Sequence, residues 1–139
     1  MAYTPLQQGL LTGRYNSLAE FPVSRKRTRH FAPVRPAAFH EDAGMETETE
    51  MCLSGFLKIA EDAGIPPFTL ALAYIHNRKF ADIVIAGART ESQLNALVKS
   101  MDTDIPEELL TKLDACSAPL LKAVGGNPDM YRKESRVRY

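Results

Sequence analysis

Two short segments of this chain contain the residues whose types and spacing point to chemistry. The later one, Ile83-Val-Ile-Ala-Gly-Ala-Arg-Thr-Glu-Ser-Gln-Leu94, predicts a buried strand, a tight turn and the start of a helix. The first turn of a helix presents unpaired N–H groups and the positive end of the helix dipole, which together favour a bound anion. Arg89 stands just before that turn and adds a guanidinium whose geometry suits phosphate. The same residues also fit an ordinary strand-to-helix turn that carries a solvent-exposed arginine.

The earlier segment, Tyr3-Thr-Pro-Leu-Gln-Gln-Gly-Leu-Leu-Thr-Gly-Arg-Tyr15, predicts a short strand that runs into a glycine-rich loop. Tyr3 would offer an aromatic face at the end of the strand, and the loop around Gln8 and Gly9 would offer backbone amides. A flat, phosphorylated ligand uses both kinds of contact. The alternative is that Tyr3 is a core aromatic residue and Gly9 a plain turn residue.

The helices and strands that must position these segments are predicted from the spacing of apolar residues, with glycine and proline marking their ends. The second helix is apolar on nearly every face, which predicts that it is buried, and the second strand is a continuous apolar run typical of a parallel strand covered on both faces. Thr90 and Gln93 match a capping box at the start of the third helix. The predicted elements are strand 2–6, loop 16–44, helix 46–62, helix 66–75, strand 82–87, helix 90–100, helix 106–118 and irregular tail 126–139.

Composition argues against several classes of function. The chain has 139 residues, 45% of them hydrophobic, and a formal net charge of zero, so no global field favours nucleic acid or an anionic membrane. No run approaches the roughly 20 apolar residues of a membrane-spanning helix, and no signal peptide is recognisable, so a cytoplasmic protein is expected. The basic run 25–29 lacks interleaved aromatic residues, and we interpret it as a solvated loop rather than a nucleic-acid site.

Neither the cysteines nor the histidines predict a metal or catalytic site. Cys52 and Cys116 lie on separate predicted helices without metal-ligand spacing, and both are expected to be reduced thiols on the buried side. His30 and His40 are ten residues apart in the long loop with no carboxylate at ligand spacing, so no metal is expected.

Taken together, the two segments resemble a known family. The pattern Tyr-x-Pro-Leu-x-x-Gly-Leu-Leu-Thr-Gly-x-Tyr, followed about 70 residues later by Ile-x-Gly-Ala-Arg-Thr-x-x-Gln-Leu, is similar to the C-terminal part of the aldo-keto reductase family. The segments 66–75, 105–114, 126–131 and 135–138 resemble the family as well. The resemblance covers the chain except for the loop 16–44.

The resemblance implies an α/β fold that is a partial (β/α)8 TIM barrel. Residues 1–139 would form a C-terminal fragment containing the last two β/α units, the C-terminal helices and the tail, with most residues helical. The family uses an Asp, Tyr, Lys and His set from earlier strands, so no catalytic residue is assigned in this chain. The chain alone is expected to be inactive.

The resemblance also implies an NADP site. Tyr3 matches the aromatic residue that stacks on the nicotinamide ring, and Arg89 would favour NADP over NAD by pairing with the 2′-phosphate. The remaining residues match the pyrophosphate loop, namely Thr4, Leu6, Gln8 and Gly9, and the segment that holds the 2′-phosphate and adenine, namely Gly87, Ala88 and Gln93.

The chain departs from the family pattern at one pair of positions that bears on the predicted adenine site. The family commonly has Glu-Asn where this chain has Ala96-Leu97, so those contacts to adenine cannot form.

The substrate of a complete barrel would be a small carbonyl compound. The alternative is a non-enzymatic remnant that binds a nucleotide or another protein, with its strand edges covered by self-association or by a partner.

Overall fold

The computed structural model describes residues 1–33, 40–127 and 129–132. The predicted order of elements is confirmed, and most of the regular structure is helical. The elements are β1 (Ala2–Tyr3), α1 (Glu46–Ala63), α2 (Pro67–Asn77), β2 (Val84–Ile85), α3 (Glu91–Met101) and α4 (Glu107–Val124), with two 3-10 segments at Gln7–Thr12 and Val23–Arg25.

The two strands pair in parallel. Ala2 lies opposite Val84 and Tyr3 opposite Ile85, and the N–H of Ala2 donates a hydrogen bond of 2.8 Å to the carbonyl oxygen of Ile83. Because the strands are parallel, their carboxyl ends open at the same edge of the sheet. The chain segments that follow β1 and β2 therefore meet there.

Both strands are shorter than predicted. The chain leaves β1 at Thr4, whose φ is +51°, a left-handed conformation that no strand accommodates. The expectation that the second strand is covered on both faces is wrong, since Ile83 is 60% exposed and Ile85 is 52% exposed. Within the described residues β2 has one strand neighbour, β1, so its apolar side chains lack the cover that flanking strands and helices would give.

The hydrophobic core lies among α1, α2 and α4. As predicted, the middle of α2 is buried, and Leu70 and Ala73 are both 0% exposed. The core residues are Phe56, Ala60, Leu70, Ala71, Ala73, Ile105, Leu110 and Leu113. Helix α3 packs on α2, where the hydroxyls of Thr69 and Ser100 are 3.0 Å apart. No helix within the described residues has the length and apolarity to cross a membrane.

A polar cluster ties α2 to α4. The hydroxyl of Tyr74 donates a hydrogen bond of 2.6 Å to Asp114, and the guanidinium of Arg78 bonds to both Asp114 and Glu107. Burial, together with the bond to Asp114, raises the pKa of Tyr74 to about 12. The phenol therefore stays protonated and keeps its role as donor at any ordinary pH.

Helix α4 continues beyond the predicted end. The sequence predicts that this helix stops before Pro119, yet it runs to Val124 with the proline inside. Proline removes one N–H and crowds the carbonyl four residues earlier, which belongs to Ala115. Both Ala115 and Pro119 are exposed, so water can satisfy the carbonyl that the proline leaves unpaired.

The long loop folds back on α1 through aromatic side chains. The rings of Tyr15 and Phe21 meet edge to face at 5.3 Å, and Phe21 stacks on Phe31 at 5.6 Å. Leu53 of α1 is buried in the same cluster. Residues 16–33 and 40–44 are irregular as predicted, apart from the 3-10 segment Val23–Arg25, and residues 34–39 lie outside the described part.

The tail meets the long loop through the backbone. The N–H of Arg29 donates a hydrogen bond of 2.7 Å to the carbonyl oxygen of Met130. The segment Ser135–Arg138, which carries part of the family resemblance, lies outside the described residues.

His30 links the loop that follows β1 to the long loop. Its Nδ1 accepts from the amide of Gln7 at 2.9 Å and lies 3.0 Å from the hydroxyl of Thr28. Burial, and secondarily the charge of Arg29, lowers the pKa of His30 from 6.5 to about 4. A protonated ring could not accept the bond from Gln7.

We predict that acid destabilises the fold through His30. Since the pKa falls from 6.5 in the unfolded chain to about 4 in the folded one, the unfolded chain binds the extra proton between these values. The free energy of unfolding should therefore be undiminished above pH 6.5 and fall by up to about 3 kcal/mol as the pH approaches 4. Urea denaturation at several pH values measures this.

The variant His30→Asn keeps an acceptor without the titration and should flatten this part of the pH dependence. The control is His76→Asn, at the exposed end of α2, which should retain the slope of the wild-type chain. An unchanged slope in His30→Asn would contradict the assignment.

Candidate functional site

The segments after β1 and β2 enclose a cavity at the carboxyl edge of the strand pair. Its volume is about 830 Å³, within the usual range for small-molecule sites. The cavity wall includes eight of the nine residues predicted from sequence, and Ala88 is the one that does not line it. Those eight residues are Tyr3, Thr4, Leu6, Gln8, Gly9, Gly87, Arg89 and Gln93.

The first wall is a loop with unusual backbone angles. Thr4, Gln7 and Gln8 have φ values of +51°, +46° and +57°, a left-handed region that residues other than glycine rarely occupy. The carbonyl oxygen of Thr4 accepts from the N–H of Gln7 at 2.8 Å, and the side chain of Gln7 is held by His30. Strained backbone of this kind persists where surrounding contacts fix it, and it is concentrated at binding sites.

Gly9 allows an arginine to lie directly on this loop. Its φ is +97°, and a Cβ at this position would be 3.2 Å from Nη1 of Arg25. The same nitrogen donates to the carbonyl oxygen of Gln8 at 3.2 Å and lies 3.5 Å from the hydroxyl of Tyr15. The loop after β1 and the long loop are thereby joined through one guanidinium.

The second wall is the turn between β2 and α3. As predicted, the hydroxyl of Thr90 accepts from the N–H of Gln93, at 3.2 Å. The side-chain oxygen of Gln93 accepts from the N–H of Arg89 at 2.9 Å, one residue before the cap itself. This bond fixes the turn and uses the oxygen of the Gln93 amide, so its Nε2 is the atom of this amide that can donate to a ligand.

Four arginines line the cavity, and sequence reasoning assigned only one of them to it. They are Arg14, Arg25, Arg27 and Arg89. The interpretation of run 25–29 as a solvated loop is wrong for Arg25, which bonds to the loop after β1, and for Arg29, which pairs with Asp42 at 2.5 Å, whereas Arg27 is exposed as that interpretation predicts. Phe21 and Phe31, which flank the run, were the available signal, because buried aromatic residues fold a loop back onto the protein.

The electrostatics of the cavity are strongly positive. Four arginine residues line it, and its lining contains no carboxylate among the residues that the structure describes. Arginine forks suit phosphate groups, and their like charges repel one another until an anion neutralises them. The arrangement therefore favours a ligand with several negative charges.

A smaller and more apolar cavity of about 390 Å³ adjoins the first. It shares Leu6, Thr12, Gly87 and Gln93 with the larger cavity, and its remaining lining is mainly apolar, namely Phe68, Ala96, Leu97 and Ser92. At the other end, the ring of Tyr3 is 51% exposed. The pair of cavities can thus accept a polyanion that also carries flat, apolar groups.

The lining residues of the larger cavity offer contacts to a ligand. Within the described chain, the larger cavity is lined by no histidine, lysine or carboxylate, and its one phenol belongs to Tyr3. Proton transfer at neutral pH commonly relies on the groups that are missing here. On its own, the arrangement can hold and orient a ligand.

Comparison with known proteins bears on the same segments. The model of the Aldo/keto reductase family matches residues 1–118, which include every residue that lines the two cavities. Protein tas of Escherichia coli is 27% identical over 115 residues, covering 83% of this chain and 31% of that protein. A probable voltage-gated potassium channel subunit beta of Arabidopsis thaliana is 29% identical over 100 residues, covering 72% of this chain and 29% of its own length. The chain spans about a third of these relatives.

We predict that Gly9→Ala weakens the binding of inorganic pyrophosphate by about two- to tenfold, because the new Cβ crowds the Arg25 guanidinium and perturbs its hydrogen bond to the loop. Gly64→Ala is a matched control. Its φ is +65° and a Cβ there has no neighbour within 4 Å, so it shares the backbone strain, about 1 kcal/mol, without the clash. Calorimetric titration at low ionic strength measures the affinity, and equal affinity in both variants would contradict the role given to Arg25.

Proposed function

Because this chain belongs to the aldo/keto reductase family, we propose that it is the cofactor-binding part of an NADP-dependent oxidoreductase. The complete protein would reduce aldehydes or ketones to alcohols by hydride transfer. In this proposal β1 and β2 are the last two strands of a (β/α)8 barrel, and the cavity lies at the carboxyl end of those strands, where such barrels place their active sites.

The observation that carries the proposal is the convergence of four arginines on one cavity that also has aromatic and apolar ends. NADPH has this chemistry, since it combines a pyrophosphate, a 2′-phosphate and two flat ring systems. Tyr3 would lie against the nicotinamide, and the loop from Thr4 to Gly9 would hold the pyrophosphate together with Arg25. The smaller cavity would take the adenine.

Arg89 is the residue we assign to the 2′-phosphate. It precedes the capped start of α3, where the helix dipole and the free N–H groups also favour an anion. Its side chain is exposed, so the guanidinium is free to turn toward the ligand. NADH lacks the 2′-phosphate, so this contact would select between the two cofactors.

In this proposal the chain's residues bind and orient, while bound NADPH supplies the hydride. Tyr3 would fix the plane of the nicotinamide, and the arginines would neutralise the phosphates. The proton for the product alcohol would come from the complete barrel, because the cavity offers no group suited to that transfer within the described residues.

We predict that Arg89→Ala weakens NADPH binding by about 10- to 100-fold, the loss expected for a charge-assisted hydrogen bond, and changes NADH binding by less than about threefold. Titration followed by cofactor fluorescence measures both. Lys99→Ala removes one positive charge from the far end of α3, outside the cavity, and should leave both affinities unchanged.

Equal loss of NADPH and NADH in Arg89→Ala would contradict its assignment to the 2′-phosphate. Failure of the wild-type chain to bind NADPH even at about millimolar concentration, the weak end of ordinary binding, would remove the idea that this part binds the cofactor by itself.

A non-enzymatic binding module is the second candidate, and the exposed strand pair favours it. Met1, Tyr3, Ile83 and Ile85 are each more than half exposed, and apolar surface at an unpaired strand edge promotes association. On this view the chain associates with itself or with a partner through β1 and β2.

We predict that Ile85→Thr shifts the purified chain toward monomer if self-association uses this surface. Threonine keeps strand propensity and removes apolar area. Light scattering during size-exclusion chromatography measures the mass, and Val98→Thr, an exposed apolar position on α3, is the control. A monomeric wild-type chain would count against self-association.

A further inference from the structure

The two cysteines meet where α1 packs on α4. Cys52 and Cys116 are 64 positions apart in the sequence, and the thiol of Cys116 donates to the carbonyl oxygen of Cys52 at 3.4 Å. The side chains of the two residues also interact, and this interaction is the largest influence on the pKa of each thiol. Both residues are free cysteines and half-buried, so the sulfurs are near the surface rather than sealed in the core.

Gly55 makes room for this contact. A Cβ on Gly55 would lie 2.8 Å from Sγ of Cys116, closer than packed atoms tolerate. Glycine in a helix interior is less favourable than alanine by about 1 kcal/mol. Its presence in the middle of α1 lets the sulfur of Cys116 rest against the helix backbone, one turn away from Cys52.

The interaction between the two side chains makes the pKa values of the thiols unequal. The side chain of Cys52 lowers the pKa of Cys116 to about 7, against an opposing effect of burial. The same interaction, and burial in addition, raise the pKa of Cys52. Cys116 is therefore a nucleophilic thiolate near neutral pH, and Cys52 keeps its proton while Cys116 is reduced.

We propose that Cys52 and Cys116 form a reversible redox pair that responds to hydroperoxides and closes a disulfide between α1 and α4. This site is separate from the cavity described above and does not depend on the proposed function. The geometry that supports the proposal is the contact of the Cys116 sulfur with the backbone of Cys52, beside a glycine that leaves room for it.

The reaction balances in two steps. The thiolate of Cys116 attacks the terminal oxygen of the hydroperoxide, the S–O bond forms and the O–O bond breaks. The alkoxide or hydroxide that leaves takes a proton from solvent, so the sulfur becomes a sulfenic acid while the peroxide is reduced to an alcohol or water. The sulfur of Cys52 then attacks that of Cys116, the S–S bond forms, and the hydroxyl leaves as water with the proton of Cys52. A thiol reductant reverses the reaction by exchange.

The disulfide would also stabilise the fold. It would close a loop of 64 residues and so restrict the unfolded chain. Leu53, next to Cys52, packs beneath the aromatic cluster of the long loop. The oxidised chain should therefore hold the base of that loop more firmly.

The test treats the full purified chain with hydrogen peroxide and then blocks free thiols with iodoacetamide. We expect an intramolecular disulfide, seen as an intact mass lower by two hydrogen atoms and as one cross-linked peptide containing both cysteines. Its melting temperature should exceed that of the reduced chain, and dithiothreitol should restore the original value. Intermolecular dimers, or independent oxidation of the two residues, would overturn the proposal.

Single variants separate the roles. In Cys52→Ser the sulfenic acid of Cys116 has no partner and should react with dimedone, whereas Cys116→Ser should give little dimedone adduct. Gly55→Ala should slow disulfide closure by about tenfold or more, because a small misplacement of reacting groups is costly. Ser54→Ala, an exposed neighbour, should close at the wild-type rate. Equal dimedone labelling of the two cysteine variants would refute the assigned roles.

Discussion

The parallel pairing of β1 with β2 is the constraint on which the rest of the molecule depends. Two residue pairs, Ala2 with Val84 and Tyr3 with Ile85, bring together segments that are some eighty positions apart in the chain. So short a ladder could not hold them alone. The loop after β1 also rests on the helical core, where Leu6 and Leu11 pack against the cluster formed by α1, α2 and α4. The strand pairing sets how the two segments align, and packing on the hydrophobic core keeps them in place.

The pairing of β1 with β2 also brings together the arginines of the positive cavity. Two of these guanidinium groups are held by contacts to uncharged groups. The guanidinium of Arg14 lies 5.7 Å from the centre of the Tyr15 ring, and that of Arg25 bonds to the carbonyl oxygen of Gln8. Neither contact neutralises charge, so the cavity keeps a potential that attracts anions from a distance and weakens with added salt. The protein as a whole is neutral, so this field is local.

The sequence predicted the parts of the fold that depend on interactions between residues close in the chain. Helical spacing found α1 and α2, and the cap at Thr90 formed because it needs only residues within one turn. Predictions from the sequence were wrong or incomplete where the outcome depends on tertiary packing or on exposure to solvent. Pro119 did not end α4, because its exposed position leaves water free to satisfy the helix. The arginines of the long loop joined the site only through aromatic packing onto α1, and the meeting of Cys52 with Cys116 required the pairing of two helices, which no spacing in the sequence encodes.

The hydrogen bond from Arg29 to Met130 connects two irregular parts of the chain. The long loop rests on α1 through Phe31, so this hydrogen bond links Met130 through the loop to α1. Backbone amides that share such a support open together when it is lost. In a hydrogen-exchange experiment, the amide of Arg29 would therefore report on the residues around Met130, and the two segments would exchange as one cooperative unit.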